Sequence, residues 1–208
     1  MIIWTKLLVV CMLYNYGIDD TDYPKFSHKN GKMLWLCPVY RDWYDLIKRV
    51  FSKKYRAKNR SYIDCSLCAE WRYFSNFRRW VLYEQPNKNW ENCALDKDLL
   101  IRGNKHYCPE NCVYVSMKVN GFLVRRSTAT YVGTHLDKRG NLFTAQCRNP
   151  FTGNRGYIGR FDTELEAHLA WQAKKHEYAC QLADLQEDPR VAEALRQRYA
   201  PDKDWTNK

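Results

Sequence analysis

The sequence predicts an α+β protein, and three observations lead there. Near the carboxy end, three short strand-like runs, Ala129–His135, Asn141–Arg148 and Arg155–Phe161, are separated by turn signals and followed at once by a helical stretch. Upstream, apolar residues recur at spacings of three and four over 38–54 and again over 74–83, the period of helices with one buried face. The 208 residues include 15 Tyr, 8 Trp and 8 Phe, side chains that disordered segments lack, so a packed core is expected.

The elements follow in order. Ile2 to Tyr16 is mostly apolar. Lys6 interrupts it, the run is too short to span a bilayer, and it lacks the basic start and small-residue end of a secretory leader. It reads as a buried strand or hairpin, with a signal-like segment as the alternative. Residues 1–32 read as strands and loops, ending in the turn Lys29-Asn30-Gly31. Pro38 suits the first turn of a helix running to about Lys54, with Tyr40, Trp43, Leu46, Ile47 and Val50 on one face. A second helix is expected over Phe74–Tyr83, with Phe74, Phe77, Trp80 and Val81 as its apolar stripe and Ser75 as a cap. Residues 86–94 read as a loop, and 95–122 as a compact, turn-rich motif. The terminal strands turn at Lys138-Arg139-Gly140 and over Asn149–Asn154. Their helix opens at Asp162 or Thr163 and keeps Ala167, Ala170, Trp171, Tyr178 and Leu182 on one side, where the small alanines allow close approach to the sheet. Asp188-Pro189 breaks it, and a short basic helix runs to Arg198 before a polar tail. The expected division is 1–126, 127–187 and 188–208.

Charge narrows the partners. Lys and Arg number 34 against 23 Asp and Glu, a formal net charge of +11. That favours a polyanion, since each neutralised phosphate releases counterions; a ribosomal or membrane surface would ask for the same charge. Lys48, Arg49, Lys53 and Lys54 belong to a basic run that reads either as a solvated face or as a phosphate-contacting stretch. In the terminal module the helix can cover only one face of the sheet. The other face would carry Gln146, Arg148, Arg155 and Tyr157, donors and a flat ring suited to bases and phosphates, and a small sheet can enter the major groove. The plainer reading is a sheet-helix module that packs on its neighbour.

Nine cysteines in a chain of this length, an odd number, suggest reduced thiols and a cytoplasmic setting. Cys65-x-x-Cys68 and Cys108-x3-Cys112 could together hold structural zinc. The preferred reading is that they are small buried apolar groups. His28, His168 and His176 read as surface or helix residues rather than ligands.

Two resemblances extend this reading. Tyr131-Val-Gly-Thr, Phe143-Thr-Ala-Gln-Cys-Arg148, Arg155-Gly-Tyr-Ile-Gly-Arg-Phe161-Asp-Thr, Glu166-Ala167 and Ala170-Trp171 resemble the plant ethylene-response-factor domain, also called the AP-two domain. The resemblance implies a three-stranded antiparallel sheet laid in the major groove and backed by one helix. Gln146, Arg148, Arg155 and Tyr157 then become the contacts. The first-strand arginines of the plant members are missing; Thr134, His135 and Lys138 occupy that region, so a target sequence does not carry over.

The stretch from Leu95-Asp-Lys-Asp-Leu-Leu to Cys108-Pro-Glu-Asn-Cys-Val-Tyr-Val115, followed by Asn120, is similar to a phage HNH endonuclease motif. Cys65-x-x-Cys-Ala-Glu-Trp71, Phe74-Ser-Asn-Phe77, Tyr40-Arg-Asp-Trp43 and Tyr16-Gly-Ile-Asp-Asp-Thr-Asp-Tyr23 are similar to segments found before it. This implies a ββα-metal region in which two strands and a helix hold one divalent cation, Mg or Mn. Asp96 and Asn120 would be its ligands and Asn111 the central asparagine. Lys97 stands where the catalytic His belongs. A general base needs a pKa near working pH, and Lys titrates at about 10.4 against about 6.5 for His. Lys97 would therefore be a charge on phosphate, leaving His106 or Asp98 to move protons. The expectation is a homing-like DNA endonuclease acting on double-stranded DNA, with no membrane partner. The alternatives are a non-catalytic DNA-binding regulator or host-takeover protein, and an inhibitor that binds an acidic protein.

Overall fold

The structure, a computed structural model, describes residues 11–124, 130–137 and 140–205. Helices and strands are mixed, as expected for an α+β chain. The chain divides into two compact units, Met1–Glu91 with Gly103–Val113, and Asn92–Arg102 with Tyr114–Lys208. The 95–122 motif therefore contributes to both.

In the first unit, β1 (Cys11–Leu13) and β2 (Gly17–Asp19) form a hairpin. The rest of the expected apolar run, 2–10, lies outside the described residues. A second hairpin joins β3 (Phe26–Lys29) to β4 (Lys32–Leu36) through Asn30 and Gly31, both with positive φ, the backbone that an Asn-Gly turn favours. The helix α1 (Pro38–Phe51) buries Trp43, Leu46 and Ile47 completely. It stops short of Lys54. Ser52 turns extended, and its hydroxyl accepts the Tyr55 N–H to begin α2 (Lys53–Lys58). Beyond β5 (Ser66–Leu67), α3 (Phe74–Arg79) continues into a π turn at Trp80–Glu84. Ser75 does not cap it. Its N–H and hydroxyl donate to the Asp20 carboxylate, so a distant acid satisfies this helix start. The core is aromatic: Trp71 sits 4.7 Å from Trp80 and 5.1 Å from Phe77, centroid to centroid. Its carbonyl accepts the Trp43 indole N–H at 2.8 Å.

The loop expected over 86–94 contains a 3₁₀ turn, Trp90–Asn92, leading into β6 (Cys93–Asp96). In the first unit, β7 (His106–Tyr107) pairs in parallel with β5. A further strand, β8 (Val113–Ser116), pairs with β6 and runs into α4 (Met117–Leu123), whose first turn is capped by the Ser116 hydroxyl.

The second unit ends in a three-stranded antiparallel sheet of β9 (Thr134–Asp137), β10 (Leu142–Arg148) and β11 (Arg155–Phe161), with β10 central. Ala129, the expected start of the first strand, lies outside the described residues; β9 starts at Thr134 and runs past His135. Gly133, at φ 86°, makes the bend before it, and a Cβ there would lie 2.1 Å from the Trp171 ring. The helix α5 (Glu164–Ala183) packs on all three strands, and Ala145, Cys147, Ala167 and Ala179 are buried. His168, read as a surface or helix residue, lies on α5 and is buried: Val132 O lies 2.9 Å from its Nδ1, and its ring stacks on Trp171. Asp188 caps α6 (Pro189–Arg198), with Pro189 in its first turn.

Thr163 starts α5 with a reciprocal cap. Its hydroxyl accepts the Glu166 N–H, and the Glu166 carboxylate accepts the Thr163 N–H at 3.0 Å. Thr163→Ala removes the side-chain half of this cap and is expected to lower stability by about 1 kcal/mol in urea unfolding. Among the described residues, no helix is long and apolar enough to cross a membrane.

Candidate nucleic-acid interface and hydrolytic motif

Side chains alternate across a strand, so the pairing register settles which residues share the uncovered face. Arg148 pairs with Arg155 and Gln146 with Tyr157. Ala145 and Cys147, the intervening residues of β10, are buried on the α5 side. All four residues expected as contacts thus stand together on the face away from the helix. Arg148 and Arg155 are exposed, Gln146 is half-buried, and the Tyr157 side chain is 62% exposed. Gln146, Arg148 and Arg155 also line one hollow of about 530 Å³ with His135. Arg148 is held in place by its Nε donating to Gly153 O at 2.9 Å. Lys138, the other expected contact, lies outside the described residues.

One member of this face escapes a strict alternation count. Between Ala145 and Gln146 the register shifts: Gln146 faces Tyr157, whereas Ala145 faces Gly159. Ile158 is the extra residue of a β-bulge. Past it the phase of β11 reverses, so Arg160, opposite Thr144, joins Arg155 and Tyr157. Its guanidinium pairs with Asp137 at 2.9 Å. The adjacent Gly159 is the sequence signal that could have pointed to a bulge.

Trp171 and Lys175 of α5 also line the hollow. They reach it because β9 leaves β10 after Thr134 opposite Ala145, with one further bond from Gln146 N–H to Gly133 O at 3.0 Å, so the Cys147–Arg148 edge of β10 is open on that side. Sequence reasoning placed Trp171 in the core and gave Lys175 no role.

The residues of the hydrolytic motif are divided. Asp96, Lys97, Asp98 and Asn120 belong to the second unit, His106 and Asn111 to the first. Asp96 closes β6, and its Oδ1 accepts the N–H groups of Asp98 and Leu99 at 2.9 and 2.8 Å. Burial pushes its carboxyl up, the Asp98 charge adds to the rise, and the two N–H donors oppose it. Lys97 is 12% exposed and lies 3.7 Å from the Asp98 carboxylate. Asp98 also meets Arg198, which donates to its carbonyl at 2.8 Å. Asn120 stands on α4, which packs against β6.

In the first unit, the Nδ1 of His106 lies 2.8 Å from the Ser66 hydroxyl. The Asn104 side chain accepts the His106 N–H and donates to its carbonyl. Asn111 reaches the same Asn104 oxygen at 3.5 Å, so Asn104, absent from the sequence reading, links the two.

The basic run divides by burial. Lys53 and Lys54 are exposed on α2, and Lys48 faces Asp45 at 3.9 Å. The Arg49 guanidinium lies 5.8 Å from the Tyr62 ring centroid, with Tyr107 as a further partner. Of the four cysteines considered for zinc, Cys65, Cys108 and Cys112 are buried. Cys65 and Cys68 lie on either side of the two-residue strand Ser66-Leu67. Burial pushes the Cys68 thiol up to about 11. Among the described residues, no group of three or more His, Cys, Asp or Glu is arranged to hold a metal ion.

No protein-family model, curated protein or solved structure matches this chain.

Proposed function

We propose that this protein binds double-stranded DNA through the uncovered face of its β9–β10–β11 sheet and cuts it with the β6–β8–α4 segment, as a phage-type HNH-like endonuclease. The observation that carries the binding half is that Gln146, Arg148, Arg155 and Tyr157 share that face, with Gln146, Arg148 and Arg155 also lining a hollow at the β10 edge. Gln presents paired donor and acceptor groups to a base edge, Arg reads guanine or clamps phosphate, and the Tyr157 ring offers a flat contact. The net charge of +11 supplies the non-specific attraction.

For cleavage, Asp96 and Asn120 offer hard oxygen donors, the chemistry that Mg²⁺ and Mn²⁺ prefer. Burial, and after it the Asp98 charge, raises the Asp96 carboxyl, and a cation held there would relieve both. A cation held there would supply charge stabilisation to the phosphate being cleaved. Lys97 holds positive charge beside Asp98.

A second reading is a DNA-binding protein that does not cleave, and one observation favours it. Asp98 is already flanked by Lys97 and Arg198, while one Asp96 oxygen is committed to backbone N–H groups. The experiment is incubation of the full chain with supercoiled DNA and Mg²⁺ or Mn²⁺, alongside Asn120→Ala. Metal-dependent nicking that the variant loses supports the nuclease. Gel retardation with no nicking moves the conclusion to the binder. Absence of any retardation removes DNA as the partner and leaves an acidic protein as the better candidate.

A further inference from the structure

We infer that Lys175, with Arg148 and Lys118, forms a separate binding site for a backbone phosphate of duplex DNA, beside the sheet face. This deepens the DNA-binding reading and rests on it.

The geometry begins with Lys175. It projects from α5, and its ammonium donates to Phe122 O at 2.8 Å and sits 3.5 Å from the Phe122 ring centroid. The Tyr199 ring lies 5.3 Å away. An ammonium has three donors, and the Phe122 carbonyl takes one of them. The same side chain lines two hollows. One is the hollow of Gln146, Arg148 and Arg155; the other, of about 230 Å³, lies between α4 and the Asn149–Gly153 turn and is lined by Lys118, Gly121, Phe122 and Asn149. Arg148 lines both as well. Lys175 and Arg148 therefore occupy the boundary that the two hollows share, and Lys118 stands on the far side, over the Phe151 ring.

The cations that line the two hollows with Lys175 are Lys118 from α4, Arg148 from β10 and Arg155 from β11; the His135 imidazole lines the first, and Lys174 precedes Lys175 on its own helix. The titratable groups of other kinds are the Cys147 thiol, Glu177 and the Tyr199 phenol. Glu177 is engaged by Lys174. A half-buried cation is held at a desolvation cost that an incoming anion would offset. Burial accordingly lowers the Lys175 ammonium to about 8, with the nearby Cys147 as the opposing influence. A phosphodiester oxygen bound there would draw the proton back on, so binding and protonation are linked.

The sign follows from that linkage. Lys175 is charged below its pKa, so duplex affinity should be full near about pH 7 and fall as pH rises through about 8. An arginine at the same position stays charged throughout and should flatten the profile.

The test is fluorescence anisotropy with duplexes of several sequences, over a salt series and from about pH 7 to about pH 9.5, for the wild type, Lys175→Met and Lys175→Arg. Methionine keeps the apolar packing on Phe122 and Tyr199. The expected result has three parts. Lys175→Met weakens every duplex by a similar factor, roughly five- to tenfold at about 0.1 M salt. Its salt slope falls by about one. The wild type loses affinity across the pH range while Lys175→Arg does not. Wild-type affinity and slope in Lys175→Met would overturn the site while leaving the sheet face intact. A wild type that binds no duplex at all overturns both readings. Should Lys175→Met fail to fold, the pH profiles of wild type and Lys175→Arg decide alone: parallel profiles overturn the site, divergent ones support it.

Discussion

Gly133→Ala is expected to destabilise the carboxy-terminal module by about 2–5 kcal/mol, combining backbone strain with overpacking. Two effects act at once. The backbone holds φ 86°, which L side chains rarely adopt, and a methyl group would lie 2.1 Å from the Trp171 indole. Trp171 cannot withdraw easily, because His168 stacks on it and its ring also meets Tyr199 edge-on. A loss of this size is a large share of the roughly 5–15 kcal/mol that stabilises ordinary domains. Gly31→Ala is the matched control: it shares a positive φ but has open space around it. Its expected loss is about 1 kcal/mol, from strain alone. Urea unfolding followed by tryptophan fluorescence measures both. Equal losses in the two variants would mean that Trp171 gives way without difficulty, and the close contact would lose its meaning.

The second large effect concerns affinity. Arg148→Ala should weaken duplex binding by about 1–3 kcal/mol, or roughly five- to 150-fold. Arg148 is the side chain that both hollows share, and its Nε bond to Gly153 O orders it before a ligand arrives. Ordering in advance spares the entropy that a free arginine gives up on binding. Arg160→Ala is the comparison. Its guanidinium is already engaged by Asp137, so a smaller loss is expected from an exposed pair. Anisotropy titration of the two variants, with thermal unfolding to show that both are folded, gives the ranking. Wild-type affinity in Arg148→Ala would remove the main support for the sheet as the DNA-binding surface.

The contrast between β11 and β9 explains what the sequence could reveal. The bounds of β11 were legible because Asn149–Asn154 and Asp162-Thr163 flank it with turn and cap chemistry. The start of β9 was hidden, since the bend at Gly133 exists only because an indole from α5 occupies the space where a side chain would go. That contact lies 38 residues away in sequence (Gly133 to Trp171) and leaves no local signature. Arg160 was missed for a related reason: a bulge reverses the alternation that sequence reading relies on. Lys175 was missed because a lysine on a long helix reads as a solvated residue, and its neighbours Phe122 and Tyr199 come from distant segments. In α1 the apolar spacing was right but its end was not, because Ser52 restarts a helix at a position the periodicity runs through. The 95–122 motif is continuous in sequence, yet its residues serve two compact units, a division that spacing alone does not express.

The bulged sheet has a metric consequence. The face away from α5 carries three rungs, Arg148 with Arg155, Gln146 with Tyr157, and the buried Thr144 with the exposed Arg160. Successive rungs are two residues apart on β10, about 6.6 Å at strand rise. That is close to the rise of two base pairs, at about 3.4 Å each. A strand lying along a groove would therefore meet every second step of the duplex and span about five. The tolerance profile of a selected binding site should rise and fall with a period of two, strict where a rung stands and loose between.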